Sequence, residues 1–342
     1  MVLRTIWMAG MSALVRSSGD VSLDRQYNFV ELLERENDQK AALELLQDIC
    51  DRAPHWVWGW YKLGLLAQTM DLTDRAVAAW QKAVALDPSD QLGAGLLLHQ
   101  YASQPLEQMP TAFVETLFDQ YADRFDASLV GKLGYSVPEN LGLIVSELHS
   151  ERFSTALDLG CGTGLAGAVF RPVVDHLSGV DLSQSMLVKS KARKIYDSLS
   201  KADILNLPYL DKPQYDLIIA ADVFIYMGAL ERVLNWISLA LQPNGFVAFS
   251  VESADDSVSY QLGSARRYRH SKSYLTQVLD RFGLAIIAFN ETTLRKDRGI
   301  DVQGFLVVAK APLIQTARHP NYVEAHADVS LNLEQDNDYS LQ

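Results

Sequence analysis

Two acids and three glycines are the first residues here whose spacing could do chemistry. In ALDLGCGTGL, residues 156–165, Asp158 closes a short apolar run, and Gly160, Gly162 and Gly164 follow on alternate positions. Glycines at that spacing allow a tight turn from strand to helix, with no Cβ to keep a ligand from the backbone. Peptide N–H groups and the helix N-terminus then face an incoming polar group. Seventeen residues past Gly164, Asp181 closes a second apolar stretch, HLSGVDLS. An acid at a strand tip can accept both hydroxyls of a ribose, so the pattern reads as a nucleoside site.

The same segment contains a dinucleotide fingerprint, G-x-G-x-x-G, in Gly162, Gly164 and Gly167, with Asp181 near the spacing an NAD site needs. Apolar residues usually precede the dinucleotide loop, whereas here Asp158 stands two residues before the first glycine. A carboxylate there suits a ligand with a cationic amino-acid end better than a pyrophosphate. Asp158-x-Gly160-x-Gly162-x-Gly164 resembles the first motif of class I S-adenosylmethionine-dependent methyltransferases.

The elements that must position these residues alternate. Strands are predicted at about 154–159, 176–181, just before Asp203, at 215–222 and over GFVAFSVES, with helices at about 163–172, from Ser183, over LERVLNWISLAL and at 271–282. Such alternation implies a parallel sheet with helices on both faces. GLAIIAFN and VQGFLVVAK, joined by the polar loop ETTLRKDRGID, form a closing antiparallel pair, a feature of the resembled family. The expected fold is a Rossmann-like, seven-stranded methyltransferase sheet with one antiparallel strand, over residues 151–312.

Ahead of the sheet the periodicity is helical. Trp60, Leu63, Gly64, Ala76, Trp80, Ala83 and Pro88 fall where the tetratricopeptide repeat places its large, small and turn residues. A weaker match in Phe29, Leu33, Ala42, Leu46 and Pro54 gives two helix pairs, 22–54 and 55–88, and a capping helix from about Gln91. This all-α region, 21–105, leaves an unstacked end that must pack on something. Trp56 and Trp58 read as packing residues at a helix start. In 106–150, Phe113, Leu117, Tyr121 and Phe125 recur at a helical period, resembling the lid many such enzymes fold over their cofactor; Tyr121, Phe125 and Tyr135 are its candidate contacts.

Of 342 residues, 48% are hydrophobic and 21% charged, ordinary for a soluble globular chain. A net charge of −12 argues against a nucleic-acid partner, because binding a phosphate backbone needs clustered Lys and Arg. Cys50 and Cys161 alone allow neither a disulfide framework nor a cysteine-based metal site, and they fit a cytoplasmic location. No metal or membrane partner is expected. The apolar stretch Thr5–Val15 is too short to span a bilayer, residues 1–20 read as a flexible extension, and 313–342 as a disordered acidic tail.

The resemblance implies S-adenosyl-L-methionine as cofactor and roles for named residues. Asp158, Gly160, Cys161, Gly162 and Gly164 would hold the methionine end, and Asp181 the ribose. Leu182, Met186, Asp203 and Ile204 would surround the adenine, and Ala221 and Asp222 would lie near the transferred methyl. Asn206-Leu207-Pro208-Tyr209 copies the base-gripping NLPY of adenine methyltransferases, but precedes the fourth strand instead of following it. Where the acceptor must lose a proton, His270, Tyr226 and Glu252 are the candidate bases, the first two being the leading ones. The acceptor itself reads as a small molecule, methylated on oxygen, nitrogen or a carboxylate; the alternatives are a protein partner docked on the repeats and a non-catalytic repeat scaffold.

Overall fold

The computed structural model describes residues 16–102, 106–126, 133–263, 265–297 and 299–313. Its first part is five helices: α1 (Val21–Arg35), α2 (Gln39–Arg52), α3 (Val57–Thr69), α4 (Thr73–Leu86) and α5 (Ala94–Ala102). Asp20 and Asp38 cap α1 and α2 by accepting backbone N–H bonds, satisfying groups that have no partner inside the helix. Short connections leave successive helices antiparallel. Trp80, fully buried against Gly64, donates from Nε1 to Tyr61 O at 3.3 Å. Trp56 and Trp58 are buried, Trp56 meeting Tyr27 edge-on at 5.2 Å. The helix pairs thus lie where the sequence places them.

The unstacked end is covered within the chain. The core of α1–α5 runs on through Met109, through Phe113 and Leu117 of α6 (Thr111–Tyr121), and through Tyr268. Beyond α6, α7 (Val137–Leu148) packs Leu141 and Val145 on the sheet. The sequence reads 106–150 as a helical lid or linker segment, and within it α7 is a helix laid on the sheet.

The sheet comprises β1 (Phe153–Leu159), β2 (Val174–Asp181), β3 (Ser198–Lys201), β4 (Tyr215–Ala220) and β5 (Leu241–Ser253), all parallel in the order β3-β2-β1-β4-β5. Connecting them are α8 (Leu165–Phe170), α9 (Gln184–Arg193) and α10 (Glu231–Ala240). A hairpin of β6 (Tyr260–Leu262) and β7 (Tyr268–His270) then pairs with the tip of β5 at Glu252 and Ser253. After α11 (Lys272–Arg281), β8 (Ala285–Asp297) and β9 (Ile300–Lys310) close the sheet, β9 lying antiparallel to β5. Apolar side chains fill both faces: Val233, Ile237 and Leu275 on one, Leu141, Phe170 and Val308 on the other.

Two expectations need correction. Among the described residues the sheet has nine strands instead of seven, because β6 and β7 add a small hairpin on top of the expected set. Much of the polar stretch read as a loop between the last strands is strand: β8 runs to Asp297 and pairs with β9, and Arg295 is buried in it. The expected N-terminal extension lies outside the described residues up to position 15; at 16–20 the chain is tied down, with Ser18 N and Oγ both donating to Asp24 Oδ1 at 2.7 Å. The acidic tail lies outside the described residues from 314. Among the described residues no helix is long and apolar enough to cross a membrane.

Candidate functional site

β1 is flanked by β2 on one side and β4 on the other, so the strand order reverses beside it. Crevices outside the carboxyl ends of strands at such a point bind ligands. The glycine loop leaves β1 there. Gly160, Gly162 and Gly164 all have positive φ, and a Cβ on Gly162 would point into open space. Side chains of α9 hold the loop from behind: Ser190 Oγ donates to Gly162 O at 2.8 Å and Arg193 Nε to Thr163 O at 2.6 Å. Gly167 has a separate reason to be glycine, because a Cβ there would lie 2.2 Å from the Tyr196 hydroxyl. The dinucleotide-like third glycine is thus a packing requirement.

That hydroxyl reaches past Gly167 to donate to Asp158 Oδ2 at 2.6 Å. Asp158 is fully buried, and burial pushes its carboxyl up to about 7 despite the bond from Tyr196. Asp181 accepts Gly162 N on Oδ2 and Ser183 N on Oδ1, each at 2.8 Å, and burial raises its pKa as well. Neither acid has a cationic partner among the described residues. Leu182 is half-exposed beside Asp181, Met186 is fully buried, and Asp203 and buried Ile204 begin the turn after β3. Asp203 also caps its own turn, accepting Leu205 N at 3.0 Å.

Across these ends lies α6. Thr111, Glu115, Asp119 and Asp123, four residues apart, share one face and bond to Asp203, Lys201, Ser183 and Lys189 respectively. Asp126 continues the row, accepting from Thr163 Oγ1 and Arg193 Nη2, both at 2.5 Å. Phe118, on another face, meets Tyr226 edge-on at 5.3 Å and Phe125 at 6.1 Å. The Tyr121 ring meets that of Phe125 at 5.6 Å.

At the ends of β4 and β5 the acids are held differently. Asp222 has a φ of 59°, a left-handed conformation unusual outside glycine and common at functional positions. Its N–H bonds Ser250 Oγ at 2.9 Å and its carboxylate accepts Arg295 Nη1 at 2.5 Å. Arg295 Nη2 also donates to the fully buried Glu252, which accepts Arg267 Nε at 2.6 Å; Arg267 Nη2 continues to Asp297 at 2.7 Å. Buried Tyr135 and half-buried Tyr226 stand within electrostatic reach of this network. Burial raises both phenols, that of Tyr226 to about 12, so both keep their protons and are available as donors.

His270 lies apart from these acids. In β7 it pairs with Ser253 while Arg269 pairs with Glu252, so its ring takes the face opposite Glu252. It is fully buried, its Nε2 3.0 Å from Gly228 O and its ring stacked on Tyr274 at 6.0 Å, and burial lowers it to about 4. The geometry therefore gives His270 a bracing part in the hairpin, and gives Tyr226 a donor's part instead of a base's. The NLPY segment is on the surface, Tyr209 being 56% exposed, consistent with its position before β4. Sequence reasoning missed Tyr196, Asp119, Arg267 and Arg295. For Asp119 the four-residue polar spacing along α6 was a readable signal; for Arg295, inside a stretch of polar residues, there was none.

Residues 157–247 match the model of a family described as a methyltransferase domain. Among curated proteins, a malonyl-[acyl-carrier protein] O-methyltransferase of Erwinia billingiae is 33% identical over 136 residues, 38% of this chain and 54% of that protein. A probable S-adenosylmethionine-dependent methyltransferase of Saccharomyces cerevisiae, CRG1, is 27% identical over 164 residues, 46% of this chain and 56% of that one. This chain thus spans about half the length of these relatives. Among solved structures, a Burkholderia thailandensis 1,6-didemethyltoxoflavin-N1-methyltransferase with S-adenosylhomocysteine aligns at TM-score 0.48 and 16% identity, over 61% of this chain and 92% of that one. Residues 157–247 thus match a methyltransferase domain, and the relatives that match are named as methyltransferases.

Proposed function

We propose that this chain transfers a methyl group from S-adenosylmethionine to a small organic acceptor seated beyond the carboxyl ends of β4 and β5, beneath α6. The observation that carries the reading is the pair of buried acids, Asp158 and Asp181, beside a glycine loop and with no cation of the protein to neutralise them. A ligand with a cationic amino-acid end and a ribose completes both. The open space over Gly162 fits such a ligand at the loop. When bound, the cofactor supplies an electrophilic methyl on a sulfonium.

In this reading Asp158 and the loop residues Gly160, Cys161, Gly162 and Gly164 orient the methionine end, and Asp181 holds the ribose. Leu182, Met186, Asp203 and Ile204 bound the adenine, and Ala221 and Asp222 border the methyl. Phe118, Tyr121 and Phe125 exclude water from above. Much of the chemistry then follows from alignment, because a well-oriented pair of reactants removes most of the entropic barrier. The two helix pairs are tetratricopeptide-like, and the buried free cysteines Cys50 and Cys161 suit a cytoplasmic location.

A second reading is a protein acceptor docked on the helix pairs. It is favoured by a surface groove of about 410 Å³ lined by Trp60, Arg75, Lys82 and Asp51, among others. Calorimetry tests the primary reading: S-adenosylhomocysteine binds and NAD does not. Binding of NAD alone would overturn it in favour of a dehydrogenase.

A further inference from the structure

We propose that the acceptor group is a carboxylate, received by the hydroxyls of Tyr135 and Tyr226 and by Nη1 of Arg267, and methylated on oxygen. This rests on the methyltransferase reading and specifies the acceptor chemistry of that same site. Tyr135 is only 8% exposed, yet neither its hydroxyl nor that of Tyr226 has a hydrogen-bond partner among the described residues. Arg267 uses Nε on Glu252 and Nη2 on Asp297, which leaves Nη1 without a partner there. All three border the network of Asp222, Arg295, Glu252 and Arg267, and donors without partners there suit an acceptor-only group such as a carboxylate, which has two oxygens to satisfy.

Proton accounting agrees. Asp222 and Glu252 are pinned by Arg295 and Arg267, so neither is a ready base. Both tyrosines hold their protons, and His270 faces the other side of β7. An amine, alcohol or phenol would need one of these groups to take its proton, and a protonated amine would also meet two guanidiniums. A carboxylate arrives already ionised. One of its oxygen lone pairs forms the new C–O bond as the methyl–sulfur bond breaks, and that bonding pair stays on sulfur. No proton moves, and the products are a methyl ester and S-adenosylhomocysteine.

The full chain, given S-adenosylmethionine tritiated on the methyl group, is offered octanoate and malonyl-coenzyme A as free and thioester-borne acids, and octylamine and octanol as matched controls. Methyl esters release volatile methanol in alkali, whereas N-methyl and ether products do not. Alkali-labile label on either acid is expected, and which acid takes it separates a free from a carrier-borne source. Tyr226→Phe should raise KM for that acid about tenfold, the worth of one hydrogen bond to a charged group, with affinity for S-adenosylhomocysteine within about twofold. Calorimetry of the acids into the S-adenosylhomocysteine-loaded protein gives a readout independent of turnover. Alkali-stable label on octylamine or octanol, or binding of neither acid to the loaded protein, overturns the proposal. Failure to bind S-adenosylhomocysteine at all overturns the underlying reading instead.

Discussion

At the ends of β1 and β2 the carboxylates of Asp158 and Asp181 take hydrogen bonds only from neutral groups, those of Tyr196, Gly162 and Ser183. At the ends of β4 and β5 those of Asp222 and Glu252 take them from guanidiniums, those of Arg295 and Arg267. Burial is comparable for Asp158 and Glu252, at 1% exposure each, so solvent does not explain the difference. An acid left in low dielectric without a counter-charge is costly, and its pKa rises until proton or cation arrives. On the proposed reading the first pair receives a ligand, Asp158 its cationic end and Asp181 its ribose. The second is neutralised in advance by guanidiniums, which on the same reading leaves neighbouring donors for the acceptor.

The largest effect should come from breaking the neutralised side. Arg295→Leu strands the carboxylate of Asp222 and takes one of its guanidinium partners from Glu252, and losing one partner of a buried ion pair costs about 3–5 kcal/mol. Urea unfolding measures it, and a loss below about 1 kcal/mol would mean that the network is not held as described. A smaller effect is expected on the other side, in binding and not in folding. Asp181→Ala should weaken S-adenosylhomocysteine by about 1.5–3 kcal/mol, the range for hydrogen bonds to a charged group. Unchanged affinity by calorimetry would remove Asp181 from the ribose.

Least costly is Tyr196→Phe, which deletes one hydrogen bond and should lower stability by about 1 kcal/mol. Its sharper consequence is electrostatic. The Tyr196 bond favours the ionised form of Asp158, so without it the carboxyl should titrate at higher pH. An unshifted titration, followed through the pH dependence of binding, would separate the hydroxyl from the acid.

Much of this was legible before any coordinates. Repeating small and large residues placed α1 to α5, and alternation of apolar runs with turn residues placed β1 to β5 along the chain in a parallel sheet. The glycine loop and its two acids were readable because only their spacing gives that turn. What escaped the sequence were residues whose part depends on partners far along the chain. Arg295 looks solvated inside ETTLRKD, but β8 pairs with β9 and carries it to Asp222, 73 positions away. His270 sits where topology suggests a base, but the pleat of β7 turns its ring to the other face. Tyr196 follows α9 with no motif around it, and only the bare backbone of Gly167 opens its way to Asp158.

The central claim, that Asp158 awaits a cationic ligand, is tested most directly by the pH dependence of S-adenosylhomocysteine binding. Burial pushes its carboxyl up to about 7, and a ligand's amino cation would favour the ionised form. Below that pH binding must release a proton, so affinity should fall as pH drops from 8 to 6, by at most about tenfold per unit. Calorimetry in buffers of different ionisation enthalpy should register that release, and Asp158→Asn should lose most of the slope. Affinity that is flat across this range in the native chain, or a slope that survives in Asp158→Asn, would contradict the account.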